Sequence, residues 1–271
     1  MSESTYVKAL LLNGRGINSW DKQILLLSDI QHFNVDICFI TETKLHSLDP
    51  LLPELKKWAR LIGPPSLTDR GSGLLILVNP SLNCELEPII TSPCHLLFRI
   101  TFPGQLSSTF QLVYGPHSNK TKFWESLPMD MDVDAILGDF NFIDDPIDAH
   151  PQRKIQHWLA PWKELGLIYH HQSGAPHTHF HTGGSARLDH LYARPHLISN
   201  QLPVHTLHFK PTITDHLGLC FGIQLQMEPR DPKIWHNDPA SYFLPEVRQT
   251  IGDFIDHTIK ESGKEPLVQL R

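Results

Sequence analysis

The sequence predicts an α/β protein in which two β-sheets pack face to face with helices on the outside. Its 271 residues are enough to bury a sizeable core in one large domain or two small ones. Hydrophobic residues make up 40% and charged residues 19%, an ordinary composition for a globular protein. Short apolar runs separated by Pro, Gly, Ser and Asn recur along the chain and are typical of strands. Amphipathic stretches lie between some of these runs, and helices of that kind cover the outer faces of packed sheets.

The first half of the chain contains most of the predicted strands. Apolar runs at residues 6–13 and 35–42 end at Asn13 and Glu42. Between them a helix is expected to begin near Trp20, after the capping pair Asn18-Ser19. Four runs between residues 72 and 116 predict successive antiparallel strands: SGLLILVNP, NCELEPII, HLLFRITF and TFQLVYGP. The apolar face of the helix is predicted to contain Trp20, Ile24, Leu27 and Ile30.

The second half alternates helices and strands before its composition changes. TKFWESL predicts a short helix, DAILGDFN a buried strand, and residues 152–164 a helix that Pro161 kinks or ends. Further strand-like runs lie near 187–193, 203–209 and 218–225. A polar, Pro-containing linker is expected after residue 228, followed by an amphipathic helix from about 243 to 260. The predicted organisation is one domain, 1–227, and a linker and helix, 228–271, leading to a missing or absent C-terminal region. The alternative is that this helix packs back on the domain.

Charge and cysteine content narrow the class of protein. The formal net charge of −6 argues against a protein that coats nucleic acid through charge, but metal ions would offset clustered carboxylates in an enzyme that touches DNA locally. The cysteines lack the spacing of a metal site, and an intracellular, reducing compartment fits them better than secretion: Cys38, Cys84, Cys94 and Cys220. The first apolar run is too short for a signal peptide, and no stretch approaches a membrane span.

Polar residues follow the ends of most predicted strands. They are, in chain order, Asn13, Glu42, Tyr114, Asp139, Asn141, Asp189, Asp215 and His216. A single polar residue at a strand end more often belongs to a turn than to a functional site. Asn13 before Gly14, and Tyr114 before Gly115-Pro116, could each be turn residues of this kind. Several at consecutive strand ends can converge on one pocket. Carboxylates, amides, a phenol and a histidine are the groups that a metal-assisted attack on phosphate uses.

This ordered set resembles the endonuclease/exonuclease/phosphatase superfamily over about residues 6–225. Its spacing is most similar to the apurinic-type endonuclease domain of non-LTR, LINE-like retrotransposons, and GDFNFIDDPIDAHP is similar to the form in fungal elements. KIWHNDPASYFLPEV resembles the connector that follows the endonuclease in their polyproteins. The resemblance implies a four-layered α/β sandwich of the deoxyribonuclease/apurinic-endonuclease type, with two packed, mainly antiparallel sheets flanked by helices.

The resemblance also implies a role for each residue of the set. Glu42 would be the principal ligand of Mg²⁺, for which Mn²⁺ can substitute, and its hard carboxylate oxygens suit that ion. Asp139 would deprotonate the attacking water. Asp215 and Asn13 would also bind the metal, and Asn141 and His216 would contact the phosphate. Asp189 would orient the histidine, and Tyr114 would donate to the phosphate or help set the metal shell.

The chain departs from the family pattern at three positions. Arg15 stands where repair-type relatives carry Asp, Thr41 where many carry Gln, and His117 where Asn is usual. Arg15 is expected to change metal affinity or to contact phosphate. Contacts with phosphate or DNA are also expected from His117 and Arg187. The segment 193–211 lies where relatives carry a hairpin that enters a DNA groove, and its few basic residues give it little capacity to read sequence.

Three histidines alternate in PHTHFHTGG, at positions 177, 179 and 181. On a strand they would share one face and could bind a transition metal, although such a pattern is more often a polar strand face.

The implied function is a Mg²⁺-dependent endonuclease that hydrolyses DNA phosphodiester bonds, as in target-site nicking by a retroelement. Alternatives of the same fold are an abasic-site repair nuclease and a phosphomonoesterase; phosphatase relatives carry a Trp-Cys-Asp-Arg stretch where this chain has GSARLDH. A decayed, inactive retroelement fragment is the non-enzymatic alternative. DNA is the expected partner, with no membrane, and a full-length relative would carry a reverse-transcriptase region. Nuclear location is implied only by that substrate; target site, metal number and oligomeric state stay open.

Overall fold

The protein's structure, a computed structural model, describes residues 6–65, 71–105, 107–128, 132–151, 154–170, 172–173 and 177–225. The predicted linker and helix in 228–271 lie outside these residues. The first sheet contains β1 (Tyr6–Asn13), β2 (Ile37–Thr41), β3 (Ala59–Gly63), β4 (Leu74–Val78), β14 (His205–Leu207) and β15 (Gly218–Gln224). Their spatial order is β14-β15-β1-β2-β4-β3.

The second sheet is also six-stranded. It contains β5 (Glu85–Thr91), β6 (His95–Thr101), β7 (Ser108–Tyr114), β8 (Ala135–Asp139), β10 (Ile168–Tyr169) and β13 (Asp189–Ala193), in the order β10-β13-β8-β7-β6-β5. A small third sheet has the order β11-β12-β9, where β9 is Ala149–His150, β11 is His179–His181 and β12 is Gly184–Ala186. Among the described strand pairs, β1–β2 and β7–β8 run parallel and the others antiparallel.

Four helices flank the sheets in the described part of the chain: α1 (Trp20–His32), α2 (Pro53–Trp58), α3 (Lys120–Glu125) and α4 (Ala160–Glu164). The outer face of the first sheet is covered by α1 and α2, through residues such as Leu26 and Trp58. The outer face of the second sheet is covered by α3 and α4, through Trp124 and Trp162. No described helix has the length and apolar character that crossing a bilayer requires.

Side-chain alternation along the strands builds the core between the two large sheets. Alternate residues of each strand point to the same face, and the inward set is apolar. The ring centroid of Phe39 lies 6.0 Å from that of Phe110 and 6.5 Å from that of Phe221, so aromatic side chains from both sheets meet at the centre. The predicted four-layered sandwich is therefore confirmed.

Some element predictions need correction. Helix α1 begins at Trp20 as predicted, but Trp20 and Ile24 are 63% and 53% exposed, and the buried residues are Gln23, Leu26 and Ile30. Gln23 takes the place expected for Ile24, because its side-chain amide is held inside by donating to the carbonyls of Ile17 and Pro50 and accepting from the Leu52 N–H. The residue at the N-cap, Ser19, makes no side-chain capping bond.

Two further differences concern strand pairing and helix length. The run at 72–79 forms β4, which pairs with β2 and β3 in the first sheet and not with β5. In the described part of 152–164 the helix is α4 alone, Ala160–Glu164, with Pro161 in its first turn. A proline starts a helix well because its missing N–H would have no intrahelical partner there, so Pro161 begins this helix and does not end it.

Candidate active site

The polar residues at the strand ends close one end of the inter-sheet core. Three of these polar residues lie two positions from a core residue on the same strand. Asn13 follows Leu11 on β1, Asp139 follows Leu137 on β8, and Asp189 precedes Leu191 on β13; the three leucines belong to the central core. Because alternate residues share a face, Asn13, Asp139 and Asp189 point inward as well. Strands β7, β8 and β13 align Tyr114 with Asp139, and Asp139 with Asp189, in one row across the second sheet.

Asn13 connects the two sheets at this end. Its Nδ2 donates to Asp139 Oδ2 at 2.7 Å and to Glu42 Oε2 at 3.1 Å. Its Oδ1 accepts a hydrogen bond from the Arg15 N–H at 2.8 Å. One amide from the first sheet thus positions two carboxylates that come from different sheets.

Burial controls the charge of Asp139, which is 1% exposed. Desolvation and the nearby Asp189 carboxylate raise the pKa of Asp139 to about 7, while His216, Asn13 and the Asn141 N–H act in the opposite direction. The Asn141 N–H donates to Asp139 Oδ1 at 3.0 Å. A carboxylate held in this way is a base whose pKa lies near neutral pH.

His216 is paired with Asp189 through a buried hydrogen bond of 2.7 Å between Nδ1 and Oδ2. Burial lowers the pKa of His216, but Asp189, Asp139 and Asp215 outweigh it and raise that pKa to about 9. The imidazole is therefore cationic at neutral pH, and its Nε2 is the nitrogen left for a ligand. Asp189 Oδ1 is buried without a hydrogen-bond partner in the described part of the chain.

Two other carboxylates are partly exposed and paired with basic side chains. Glu42 Oε1 lies 2.9 Å from Lys44 Nζ, and Asp215 Oδ2 lies 2.7 Å from Arg15 Nη1. Burial, Lys44 and Arg15 lower the pKa of Lys22, whereas Glu42 and Asp215 raise it, so both carboxylates lie within electrostatic reach of one ammonium group. Oxygen donors with exchangeable cationic partners fit a hard divalent cation such as Mg²⁺.

The backbone is strained at this end of the sandwich. Arg15, Glu42 and Asn141 have φ angles of 47°, 53° and 52°. Side-chain-bearing residues rarely adopt this left-handed region, which costs of order 1–3 kcal/mol and clusters at functional sites. The strain here turns the chain sharply just after β1, β2 and β8.

Tyr114 lies beside Asp139 in the row described above, and Asn141 follows two residues after Asp139. Tyr114 is fully buried, and its hydroxyl is hydrogen-bonded to His117 Nε2 at 3.1 Å. Asn141 donates one amide N–H to the Gly115 carbonyl at 2.7 Å, which leaves its second N–H available. His117 thus lies between the phenol and the protein surface.

Arg187 has a different environment from the one predicted for it. It is 7% exposed, forms an ion pair with Asp148, and its guanidinium carbon lies 4.8 Å from the centroid of the Tyr169 ring. A side chain engaged in this way inside the protein is not presented to DNA, so the structure does not support the predicted contact.

The alternating histidines also differ from one another. His177 lies outside β11, and its two ring nitrogens are hydrogen-bonded to Ser185 Oγ and to the Ile147 carbonyl. His179 packs against the site, with its ring centroid 4.6 Å from that of His216. His181 Nδ1 accepts a bond from the Gly183 N–H. The sequence pattern does not separate these three environments, because they depend on which loops the strand meets.

Sequence reasoning missed two basic partners of the set, Lys22 and Lys44, and did not connect His179 with Asp215. Lys22 donates to the carbonyls of Arg15 and Gly16, and Lys44 and His179 contact the carboxylates described above. Only Lys44 could have been found from the sequence, because it lies two residues after Glu42. Lys22 carries no signal of its own, and the alternation in PHTHFHTGG marks His179 without indicating that it meets Asp215.

The sequence matches the model of the Endonuclease/Exonuclease/phosphatase family over residues 11–216. No curated protein matches it. Among solved structures, the endonuclease domain of TRAS1, a telomere-specific non-LTR retrotransposon, superposes with a TM-score of 0.58 at 15% identity, covering 82% of this chain and 100% of that one.

Two other solved structures are similar to the same extent. An AP endonuclease from Archaeoglobus fulgidus gives a TM-score of 0.55 at 16% identity, with 80% of this chain and 99% of that chain covered. The 3′-5′ exonuclease NExo from Neisseria meningitidis gives 0.56 at 18% identity, with 80% and 100% covered. At these identities the likeness establishes a shared fold.

Proposed function

This chain belongs to the endonuclease/exonuclease/phosphatase family, and from that premise we propose that it is a Mg²⁺-dependent endonuclease that hydrolyses phosphodiester bonds in DNA. The observation that carries the proposal is the meeting of a buried carboxylate near neutral pKa with an Asp–His pair of raised pKa. Asp139, Asp189 and His216 bring their ligand atoms within 4.8 Å of one another. A base and a cationic donor side by side are what hydrolysis of a phosphate ester requires.

Asp139 is proposed to activate the attacking water. Its hydrogen bonds from Asn13 and from the Asn141 N–H fix the direction of both carboxylate oxygens. With a pKa of about 7, it is ionised just above neutral pH and accepts a proton from water as the water oxygen bonds to phosphorus. The bond between phosphorus and the 3′ oxygen breaks, and that oxygen leaves as a 3′-hydroxyl after gaining a proton from solvent, with the phosphate on the 5′ end.

His216 is proposed to stabilise the charge that develops on the phosphate oxygens. Asp189 holds Nδ1, so the protonated Nε2 can donate outward to a non-bridging oxygen. The free N–H of the Asn141 amide can donate to the same group. Tyr114 would act through His117, to which its hydroxyl is bonded.

Glu42 and Asp215 are proposed to hold the divalent cation, with Asn13 contributing the second lone pair of its carbonyl oxygen. Lys44 and Arg15 currently pair with these carboxylates; their side chains are 36% and 56% exposed and can move away. A bound cation supplies charge neutralisation for the phosphate and the leaving oxygen. Mn²⁺ shares the preference for oxygen ligands and would substitute for Mg²⁺.

Target-site nicking in a retroelement is the specific role that we propose. Its support is the structural likeness to the TRAS1 endonuclease domain, together with the sequence resemblance of GDFNFIDDPIDAHP and KIWHNDPASYFLPEV to such elements. The 3′-hydroxyl left by the nick would prime reverse transcription by a region expected in a full-length relative. The place of action would be the nucleus, where the DNA target lies.

A plasmid-nicking assay tests the activity. The purified chain should convert supercoiled to open-circular DNA with Mg²⁺ and lose that activity in EDTA. Asp139→Asn should lose at least about 100-fold in rate, since general bases contribute on the order of 10²–10⁴-fold. Asp49→Asn is the matched control, because Asp49 is an exposed loop carboxylate that contacts Ser47. Equal nicking by Asp139→Asn and the wild type would overturn the mechanism.

Assays with damaged or 3′-phosphorylated DNA distinguish the proposed function from its alternatives. One of the related structures is described as a 3′ phosphatase and another as an AP endonuclease, so damaged DNA is the nearest competing substrate. Cleavage of an abasic duplex with intact plasmid left supercoiled would favour repair over target-site nicking. Release of phosphate from a 3′-phosphorylated hairpin alone would favour a phosphomonoesterase. No turnover of any of the three by folded protein would favour an inactive fragment.

A further inference from the structure

A second group of donors shares two residues with the proposed hydrolytic site. His179, Asp215 and His216 each offer one ligand atom, and these atoms all lie within 4.8 Å of one another. His179 Nε2 is 3.7 Å from Asp215 Oδ2, and the ring centroids of His179 and His216 are 4.6 Å apart. Two imidazoles and one carboxylate suit Zn²⁺ and similar transition metals, whereas Mg²⁺ prefers oxygen ligands alone.

Backbone hydrogen bonds hold these donors in place. His179 and His216 face each other in an antiparallel bridge. On either side of that bridge the Phe180 N–H donates to the Asp215 carbonyl at 3.3 Å, and the Leu217 N–H donates to the Thr178 carbonyl at 2.7 Å. The two histidine rings therefore meet without any movement of the chain, and a metal would need only small side-chain adjustments.

The hydrogen bonds of the two imidazoles leave nitrogens available to a metal. His216 Nδ1 is bonded to Asp189, which is the carboxylate–histidine arrangement that orients a ring for coordination through Nε2. His179 Nδ1 is buried and has no hydrogen-bond partner in the described part of the chain. By contrast, both nitrogens of His177 are already bonded. His179 and His216, unlike His177, therefore each have a ring nitrogen that a metal can use without breaking a hydrogen bond.

We infer that His179, Asp215 and His216 form a binding site for a divalent transition metal, with Zn²⁺ as the best fit, and that a metal bound there blocks the contact of His216 with phosphate. Metal binding at His216 displaces the proton that Nε2 otherwise carries, because only a neutral imidazole nitrogen coordinates a metal. Three protein ligands leave one tetrahedral position for water. Arg15 contacts Asp215, but an ion pair with a side chain that is 56% exposed is a weak competitor. The blocking effect rests on the proposed function; the metal site itself does not.

Calorimetric titration of the metal-stripped full chain with ZnCl₂ tests the site. His179→Ala should weaken Zn²⁺ binding by at least about tenfold, because loss of even an outer partner of a metal ligand costs about 10- to 100-fold. His177→Ala is the matched control from the same segment and should keep wild-type affinity. Circular dichroism checks folding, and Asp215→Asn is a second variant with the same expected loss. Wild-type Zn²⁺ affinity in folded His179→Ala, or an equal loss in His177→Ala, would overturn the site.

The nicking assay separates the site from its effect on activity. Zn²⁺ added to the Mg²⁺-supported reaction should inhibit the wild type, and His179→Ala should need at least about tenfold more Zn²⁺ for half-inhibition. If Zn²⁺ binds through His179 but the protein nicks no DNA, the site stands and the proposed function fails. If the protein nicks DNA but Zn²⁺ affinity does not depend on His179, the site fails and the proposed function stands. Binding through His179 without inhibition would overturn the blocking effect.

Discussion

Asp139 and His216 are both buried beside Asp189, and the same carboxylate raises the pKa of each. For Asp139 the raised pKa means that the neutral acid persists to about pH 7, whereas for His216 it means that the cation persists to about pH 9. The base is thus ionised and the imidazole protonated together only between those values. Opposite charge states next to each other then stabilise one another in the metal-free protein.

The rate of nicking should therefore have a bell-shaped dependence on pH. In the proposed mechanism it rises as Asp139 loses its proton and falls as His216 loses its own. A bound divalent cation lowers both pKa values, so both limbs should lie at lower pH than the metal-free values of about 7 and 9. Asp189→Asn should move the upper limb further down, because the largest source of the raised His216 pKa is removed. Rates measured from pH 5 to 10, with an upper limb that does not move in this variant, would contradict the pairing.

Arg15 occupies one of the three positions at which the sequence departs from the expected family pattern, and its ion pair with Asp215 should weaken metal binding. Arg15→Ala should lower the Mg²⁺ concentration for half-maximal nicking by up to about fivefold, since an exposed ion pair contributes up to about 1 kcal/mol. Arg60→Ala is the control, because Arg60 donates to the carbonyls of Lys57 and Ala59 on the exposed surface. A loss of nicking at saturating Mg²⁺ with an unchanged half-maximal concentration would instead assign Arg15 to the phosphate.

Single residues could be predicted from the sequence when they stand directly at the end of an apolar run. Asn13, Glu42 and Asp139 meet because strand ends of the two packed sheets lie at the same end of the core. Arg187 was expected at the same place, but its position before β13 directs it to Asp148. His179 could not be assigned from the alternation in PHTHFHTGG, since its partner His216 lies 37 residues further along the printed sequence.

At the scale of the elements, the pairing of β7 with β8 depends on a close approach between the backbones of Val113 and Gly138. Gly138 has a φ of 150°, and a Cβ atom added there would lie 1.8 Å from the Val113 carbonyl oxygen. No side chain relaxes a contact with backbone, so an alanine would separate the two strands next to Asp139. The strand pair therefore requires glycine at this position.

Gly138→Ala should lower the free energy of unfolding by more than about 3 kcal/mol, or prevent folding, because overpacking alone costs about 1–3 kcal/mol and backbone strain adds to it. Gly104→Ala is the matched control: its φ of 73° is also positive, but nothing lies within 4 Å of an added Cβ. It should cost only about 1 kcal/mol of backbone strain. Urea denaturation of both variants gives the difference, and equal losses would mean that the contact with Val113 contributes nothing.

The strands were easier to predict than the helices for a physical reason. A buried strand is a continuous apolar run, so β1, β2 and β8 are visible as such in the sequence. The buried face of α1 was displaced because a glutamine with a full set of hydrogen bonds is as buried as its apolar neighbours. The helix at 160–164 is one short turn whose start is set by Pro161, which apolar spacing over a longer window cannot reveal.

For the whole molecule, the central core between the sheets carries most of the expected stability. Phe39→Ala should lower the free energy of unfolding by about 3–5 kcal/mol, because it removes a buried ring that packs against Phe110 and Phe221 from opposite sheets. Trp20→Ala, at a side chain 63% exposed, should change it by less than about 0.5 kcal/mol. Denaturation in urea distinguishes the two, and a large loss in Trp20→Ala would restore the face originally expected for α1.

The sandwich as a whole could be predicted because strands, turns and helices alternate in an order that few architectures accommodate. The division of strands between the sheets could not, since β4 and β5 are neighbours in the sequence but belong to different sheets. That division depends on long-range pairing, in which β1 lies between β2 and β15 from opposite ends of the domain. Pairing over such distances leaves no local pattern.

The amide of Asn13 reaches from the first sheet to a carboxylate of the second. Neither sheet alone can bring Asp139 together with Asn13 and Glu42, so the proposed activity requires both sheets to be docked. If the proposed mechanism holds, a newly synthesised or partly unfolded chain leaves DNA intact. The same dependence would make cleavage a sensitive reporter of native structure, because activity should disappear when the sheets separate.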